Sequence, residues 1–115
     1  MLAPIETKFA SLIWENAPLS SGALVKLCEN RLGWKKSTTY TVLRRLCEKG
    51  LFHNDGGTVT VLVSREEYEK QQSNAFVAEN YGGSLPRFLA AFSAGKKLSQ
   101  EEVDALQALI DENRR

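Results

Sequence analysis

The stretch KKSTTYTVLRRLCEKG, residues 35–50, decides the fold predicted for this chain. Its spacing predicts a helix that begins at Lys36 or Ser37 and is stopped by Gly50, because glycine readily ends a helix. The inner side of that helix is assigned to Thr39, Val42, Leu43, Leu46 and Cys47. Five basic side chains remain outside this inner side, so the outer surface is predicted to attract anions.

Two amphipathic helices are predicted before this segment. Residues 16–18, Asn-Ala-Pro, end the first, and Ser20 or Ser21 can cap the second, which Gly33 stops. The inner face of the first helix is assigned to Ile5, Phe9, Leu12 and Ile13. The inner face of the second is assigned to Leu24, Val25, Leu27, Cys28 and Leu32. Both helices therefore present one apolar side to a common core.

A β-hairpin is predicted after the basic helix. Residues 51–53 and 58–63 have the composition of strands, and the intervening Asn-Asp-Gly-Gly at 54–57 tolerates the positive φ of a tight turn. The order helix, helix, helix, hairpin is that of a winged helix-turn-helix. Residues 1–63 are therefore predicted to form a winged-helix DNA-binding domain.

Three further helices are predicted in residues 64–115. Capping boxes at Ser64–Glu67 and Ser99–Glu102 begin the first and the last, and the middle helix covers about residues 84–94. The predicted fold class is mostly α with a small β-hairpin (α+β), a winged helix-turn-helix followed by a helical domain. No internal repeat or low-complexity segment interrupts this pattern.

The apolar stripes of these three helices are predicted to form a dimerisation surface. Short helices of this kind cannot cover one another fully, and a second copy of the chain is the simplest partner. The alternative is that they fold back on the first domain. The residues assigned to the dimerisation surface are Tyr68, Phe76, Tyr81, Leu85, Phe88, Leu89, Phe92, Val103, Leu106, Leu109 and Ile110.

The outer side of the basic helix is predicted to contact double-stranded DNA. Short hydroxyl side chains near its start can approach base edges in the major groove, and the cations around them can contact phosphates. The residues assigned to DNA binding are Lys35, Lys36, Ser37, Thr38, Tyr40, Thr41, Arg44, Arg45, Lys49 and, on the wing, Thr58. The competing interpretation is a solvated charged face in which Arg44 and Arg45 pair with Glu48 or Glu15.

Composition limits the other functions. The chain has 115 residues and a net charge of +1, yet residues 1–63 carry +3 and residues 64–115 carry −2. No catalytic signature is recognisable around the single histidine, His53, so an enzyme, a cofactor and a metal site are not predicted. The apolar runs are far too short to cross a bilayer, so a cytoplasmic protein without membrane insertion is expected. Cys28 and Cys47 are expected to be buried thiols rather than a disulfide.

The sequence resembles the penicillinase-repressor family of transcriptional regulators, the BlaI/MecI/CopY type. Trp34, Thr38, Thr41, Leu43, Arg45, Leu46, Lys49 and Gly50 match the family pattern W-x3-T-x2-T-x-L-x-R-L-x2-K-G. The match continues through residues 81–85, Phe92, Leu98-Ser99 and residues 101–102, and it covers about residues 5–112. The resemblance implies a homodimeric repressor on a palindromic operator with TACA/TGTA-like half-sites.

Three departures from the family pattern affect what the resemblance implies. Thr39 stands where the family usually has valine or isoleucine. Resistance-controlling members are cut by a sensor metalloprotease at an Asn-Phe bond, and the aligned pair here is Ala91-Phe92, so only the phenylalanine matches. The copper-responsive members end in a cysteine cluster, whereas this chain has no cysteine after Cys47.

A winged helix that binds a protein without reading DNA sequence is the remaining alternative.

Overall fold

The structure, a computed structural model, describes residues 2–114. Six helices and three strands occur in this range: α1 Pro4–Asn16, β1 Leu19–Ser20, α2 Ser21–Leu32, α3 Lys36–Glu48, β2 Phe52–Asp55, β3 Thr58–Val61, α4 Arg65–Tyr81, α5 Leu85–Ser93 and α6 Gln100–Glu112. This is the predicted mixture of helices with a small sheet. Across residues 2–114, no helix combines the length and apolar content needed to span a membrane.

The chain divides into two compact units at a point within α4: the first ends at Gln72 and the second begins at Ser73. The domain boundary predicted from the sequence lies before this point in the chain, between residues 63 and 64. The beginning of α4 packs with the first unit, because Tyr68 lies against Trp14 with ring centroids 5.7 Å apart. Its hydroxyl also accepts a hydrogen bond from the Leu2 N–H at 3.0 Å. Tyr68, assigned from sequence to the dimerisation surface, is therefore half-buried in the first unit.

The core of the first unit lies between α1, α2, α3 and the sheet. Its largest fully buried side chains include Phe9, Ile13, Leu24, Leu43, Leu46, Phe52 and Val59. Trp34 stacks on Phe9 with ring centroids 5.3 Å apart, and Trp14 donates its indole N–H to the Val63 carbonyl at 2.9 Å. Both tryptophans are thus packing residues at the edge of the core. Cys28 and Cys47 are free, and burial raises the pKa of each thiol.

The inner side of α1 differs from the prediction. Ile5 is 45% exposed, whereas the neighbouring Glu6 is only 7% exposed. The buried side of α1 begins at Glu6 and continues through Phe9, Ala10 and Ile13, which recur with helical spacing. The assignment of Ile5 to the core was wrong, because an ion-pairing carboxylate occupies that side of the first turn.

The sheet contains a strand that was not predicted. β1 pairs antiparallel with β3, and β3 pairs antiparallel with β2, which gives the order β1-β3-β2. Two residues are too few to show an alternating pattern, so β1 has no sequence signal of its own. The hairpin turn is tighter than predicted, because Asn54 and Asp55 extend β2 and only Gly56 (φ 59°) and Gly57 (φ 95°) remain outside the strands.

The second unit has no buried residue from Ser73 to Arg114. Ser84 caps α5 by accepting a hydrogen bond from the Arg87 N–H at 3.2 Å. Ser99 and Glu102 form the predicted capping box of α6. At Ser64 the predicted box is half formed: the Ser64 hydroxyl accepts from the Glu67 N–H, and the Glu67 carboxylate accepts from the Gln71 amide. Local capping therefore shapes helices whose apolar sides stay in contact with solvent.

Candidate nucleic-acid interface

Helix α3 is positioned by four buried residues, Thr39, Val42, Leu43 and Leu46. Successive residues of a helix are about 100° apart, so burial of these four residues turns the opposite side of α3 toward solvent. Thr39, polar at a core position, satisfies its hydroxyl by donating to the Lys35 carbonyl at 3.4 Å. The polar substitution is thus accommodated without an unpaired buried group. The outer side remains free for a ligand.

The start of α3 presents short polar side chains to solvent. Lys36, Ser37, Thr38 and Thr41 are all exposed. The Thr41 hydroxyl donates to the Ser37 carbonyl at 2.9 Å, which holds its oxygen in place as an outward acceptor. The first-turn N–H groups of a helix lack intrahelical partners and favour anions. Exposed hydroxyls, one of them fixed, therefore share this end of the helix with cations and free N–H groups.

Two assigned residues, Tyr40 of α3 and Thr58 of β3, lie near the start of α2. The Tyr40 hydroxyl donates to the Ser21 hydroxyl at 3.1 Å. Thr58 of the wing is exposed and pairs in register with Ser20 at the start of α2. The Ser21 N–H donates to the Gly57 carbonyl at 2.8 Å, which ties the wing turn to α2. The structure therefore brings Tyr40 and Thr58 to the beginning of α2, a region that the sequence analysis did not include.

The five basic residues of residues 35–50 fall into two groups. Arg45 and Lys49 form ion pairs with Glu6, with N–O distances of 3.2 Å and 3.7 Å. Within residues 2–114, the other three have no ion-pair partner; they are Lys35, Lys36 and Arg44. The competing interpretation, in which Arg44 and Arg45 pair with Glu48 or Glu15, is not found: Arg45 pairs with Glu6, and Glu15 pairs with Arg65 at 3.4 Å.

Glu6 is a functional candidate that the sequence analysis missed. Its Oε1 accepts from the Ala3 N–H at 3.0 Å, and its Oε2 accepts from the Arg45 guanidinium. The Ala3 hydrogen bond, followed by Arg45 and Lys49, holds the pKa of Glu6 below its usual value, although burial opposes the shift. A signal for it existed in the sequence, because an acid on the apolar side of a helix needs a buried partner.

Glu6→Gln is expected to remove a pH-dependent part of the stability. Because the native pKa is lowered, this contribution is complete above the unfolded-state value of about 4.5. It is lost as the pH falls through the lower native pKa. Urea unfolding of both proteins between pH 7 and pH 3 measures the difference in unfolding free energy. That difference should shrink below about pH 4.5, and a constant difference would contradict the assignment.

The residues assigned to dimerisation divide between helices α4, α5 and α6. Phe76, Tyr81, Phe88 and Phe92 form an aromatic cluster with centroid separations of 5.3 to 6.1 Å. A groove of about 530 Å³ is lined mainly by Leu85, Phe88, Leu89, Leu106, Leu109 and Ile110. Val103 is exposed outside this groove. Ala91 and Phe92, the aligned protease site, are exposed on α5.

Comparison with known proteins places this architecture in a family. Residues 2–112 match the family model described as "Penicillinase repressor". A protein from Bacillus licheniformis named "Penicillinase repressor" is 26% identical over 117 aligned positions, which cover 98% of this chain and 91% of that protein. The chain therefore belongs to the penicillinase repressor family of DNA-binding transcriptional repressors, a class of regulators rather than of enzymes.

Proposed function

We propose that this protein represses transcription as a homodimer that binds a palindromic operator, with α3 in the major groove of each half-site. The observation that carries the proposal is the outer side of α3. It combines exposed hydroxyls with Lys35, Lys36 and Arg44, cations that no acid neutralises within residues 2–114. Helix-turn-helix proteins insert a surface of this kind into the groove.

The proposed contacts divide by chemistry. Ser37, Thr38 and Thr41 are assigned to base edges, because short hydroxyl side chains can hydrogen-bond to bases of the major groove. Lys35, Lys36 and Arg44 are assigned to phosphates, where they set affinity but do not read sequence. Tyr40 and Thr58, which lie near the start of α2, are assigned to the DNA backbone. Arg45 and Lys49 are not assigned to these contacts, because Glu6 forms an ion pair with each of them.

The homodimer is proposed from the uncovered apolar surface of the second unit. Leu85 and Phe92 are more than 60% exposed, and Val103, Leu109 and Ile110 are more than 40% exposed. Apolar surface of this extent is costly in water and usually marks an interaction site. In a two-fold symmetric dimer, each copy would cover the groove of the other with the same apolar surface. It would also present two α3 helices, which matches the symmetry of a palindrome with TACA/TGTA-like half-sites, as the family resemblance implies.

We propose that cleavage by a sensor metalloprotease releases the protein from its operator. Cleavage between Ala91 and Phe92 would separate α6 from α4 and most of α5. The groove draws its lining from both α5 and α6, so this cut would divide it. The resulting monomers would lose the second half-site contact. Release from the operator would follow without any change in α3.

Selection from a random pool of duplexes, followed by a salt titration, tests the proposed function. We expect one palindrome to bind about a thousandfold or more tighter than random DNA at 0.15 M salt. Its log affinity should fall linearly with log salt, by about 0.9 for each phosphate contacted. Equal affinity for all duplexes would contradict the proposal and favour a winged helix that binds an acidic protein.

A further inference from the structure

We infer that Glu6 is a specificity-determining residue: by holding Arg45 and Lys49 in ion pairs at the protein surface, it limits how tightly α3 binds DNA regardless of sequence. This inference rests on the proposed function. It concerns a residue of α1 that touches no DNA in that proposal and acts only through the two cations that it holds.

The geometry ties one carboxylate to both cations. Arg45 and Lys49 are four residues apart, so they lie on the same side of the last turn of α3 and of its C-terminal cap. Their side chains remain 52% and 43% exposed, whereas the side chain of Glu6 is 9% exposed. The cations are therefore within reach of solvent anions, and the acid that restrains them is not. A phosphate must compete with Glu6 for each of them.

This competition affects the two kinds of DNA binding differently. Sequence-independent binding comes almost entirely from phosphate contacts and the counterions that they release. Operator binding also needs base contacts that fix the register of the helix, which restricts the phosphates that a flanking cation can reach. An acid beside two flanking cations therefore lowers random binding more than operator binding. It raises the ratio between the two affinities.

The matching test compares Glu6→Gln with Glu15→Gln in the full chain. Both acids lie on α1, both are ion-paired and both changes add one positive charge, but Glu15 holds Arg65 rather than a residue of α3. For Glu6→Gln we expect random-duplex binding to become about fivefold tighter at 0.15 M salt and its log-log salt slope to steepen by about 1, for one additional displaced counterion. Operator affinity should change by less, so the specificity ratio falls. Glu15→Gln should reproduce the wild type.

A purely structural role would leave the salt slope unchanged. The inference is overturned if Glu6→Gln shows the slope and ratio of Glu15→Gln. It is also overturned if the variant loses affinity for both duplexes in parallel. The wild type is measured first: if it does not prefer the operator, the proposed function fails, whereas a preferred operator with an unaltered Glu6→Gln slope contradicts only the role of Glu6.

Two adjacent arginines provide a test that does not depend on the folding of the Glu6 variant. Arg44→Gln removes an unpaired cation and should flatten the random-duplex salt slope by about 0.9. Arg45→Gln removes a cation held by Glu6 and should flatten that slope by less than half as much. Equal losses of slope for the two changes would show that Glu6 orients Arg45 toward a phosphate instead of withholding it, and would overturn the inference.

Discussion

Leu106→Asp combined with Ile110→Asp is expected to give a monomer whose operator affinity is lower by a factor of about 10² to 10⁴. Both residues lie on the apolar side of α6 and line the groove of the second unit. Dimerisation would remove water from the two new carboxylates, and the cost of this desolvation opposes association. A monomer contacts only one half-site, so it loses the affinity that a tethered second protomer adds. Light scattering and operator titration measure the two effects.

The control for this prediction is Gln107→Asp combined with Ala108→Asp. It adds the same two charges to α6 at exposed positions outside the groove lining. The control should remain a dimer with nearly normal operator affinity. The first unit should stay folded in both variants, because its core contains no residue of α6. A groove variant of unchanged dimeric mass would refute the proposed interface.

Thr38→Ala combined with Thr41→Ala is expected to reduce the ratio of operator to random-duplex affinity by roughly ten- to a hundredfold. Both hydroxyls are exposed at the proposed groove side of α3. Base-edge contacts typically contribute about 1 to 3 kcal/mol of discrimination each, and a single hydroxyl lies at the low end of that range. Random-duplex affinity should hardly change, because the phosphate-binding cations remain. A second selection with the double variant should return a broader set of sequences.

Two single changes serve as controls. Thr7→Ala removes an exposed threonine of α1 whose hydroxyl donates to the carbonyl four residues earlier, as that of Thr41 does. It should leave both affinities unaltered. Lys36→Ala should weaken operator and random duplex alike, since a phosphate contact is independent of sequence. If the threonine variant still selects the wild-type site, the base-reading side of α3 has been assigned wrongly.

The order of the helices and the buried side of α3 were predictable because both depend on local patterns. Apolar spacing placed α3, and the buried residues Val42, Leu43 and Leu46 confirm its inner side. Capping chemistry likewise placed the beginning of α6 at Ser99. These signals depend on residues within one or two turns of each other, so no knowledge of distant neighbours is needed. The family resemblance drew on the same local residues.

Strand β1 and the ion pairs of Glu6 were not predictable in this way. β1 exists only because β3 lies beside it, and its two residues carry no periodic signal. Tyr68 has the spacing of a dimerisation residue, but Trp14 covers it within the first unit. In each case the deciding neighbour is remote in the sequence. The local pattern alone leaves several neighbours equally suitable.

The sequence by itself determined that this chain is a winged helix with a basic third helix, because periodicity, caps and turns are properties of short segments. Only the tertiary structure decided which cations of that helix are neutralised. Glu6 lies 39 positions before Arg45. Its place on the apolar side of α1 indicates that it needs a partner, but nothing in the local pattern identifies Arg45 and Lys49 as that partner. An ion pair depends on the distance between two charges in space, and that distance is fixed by how α1 packs against α3.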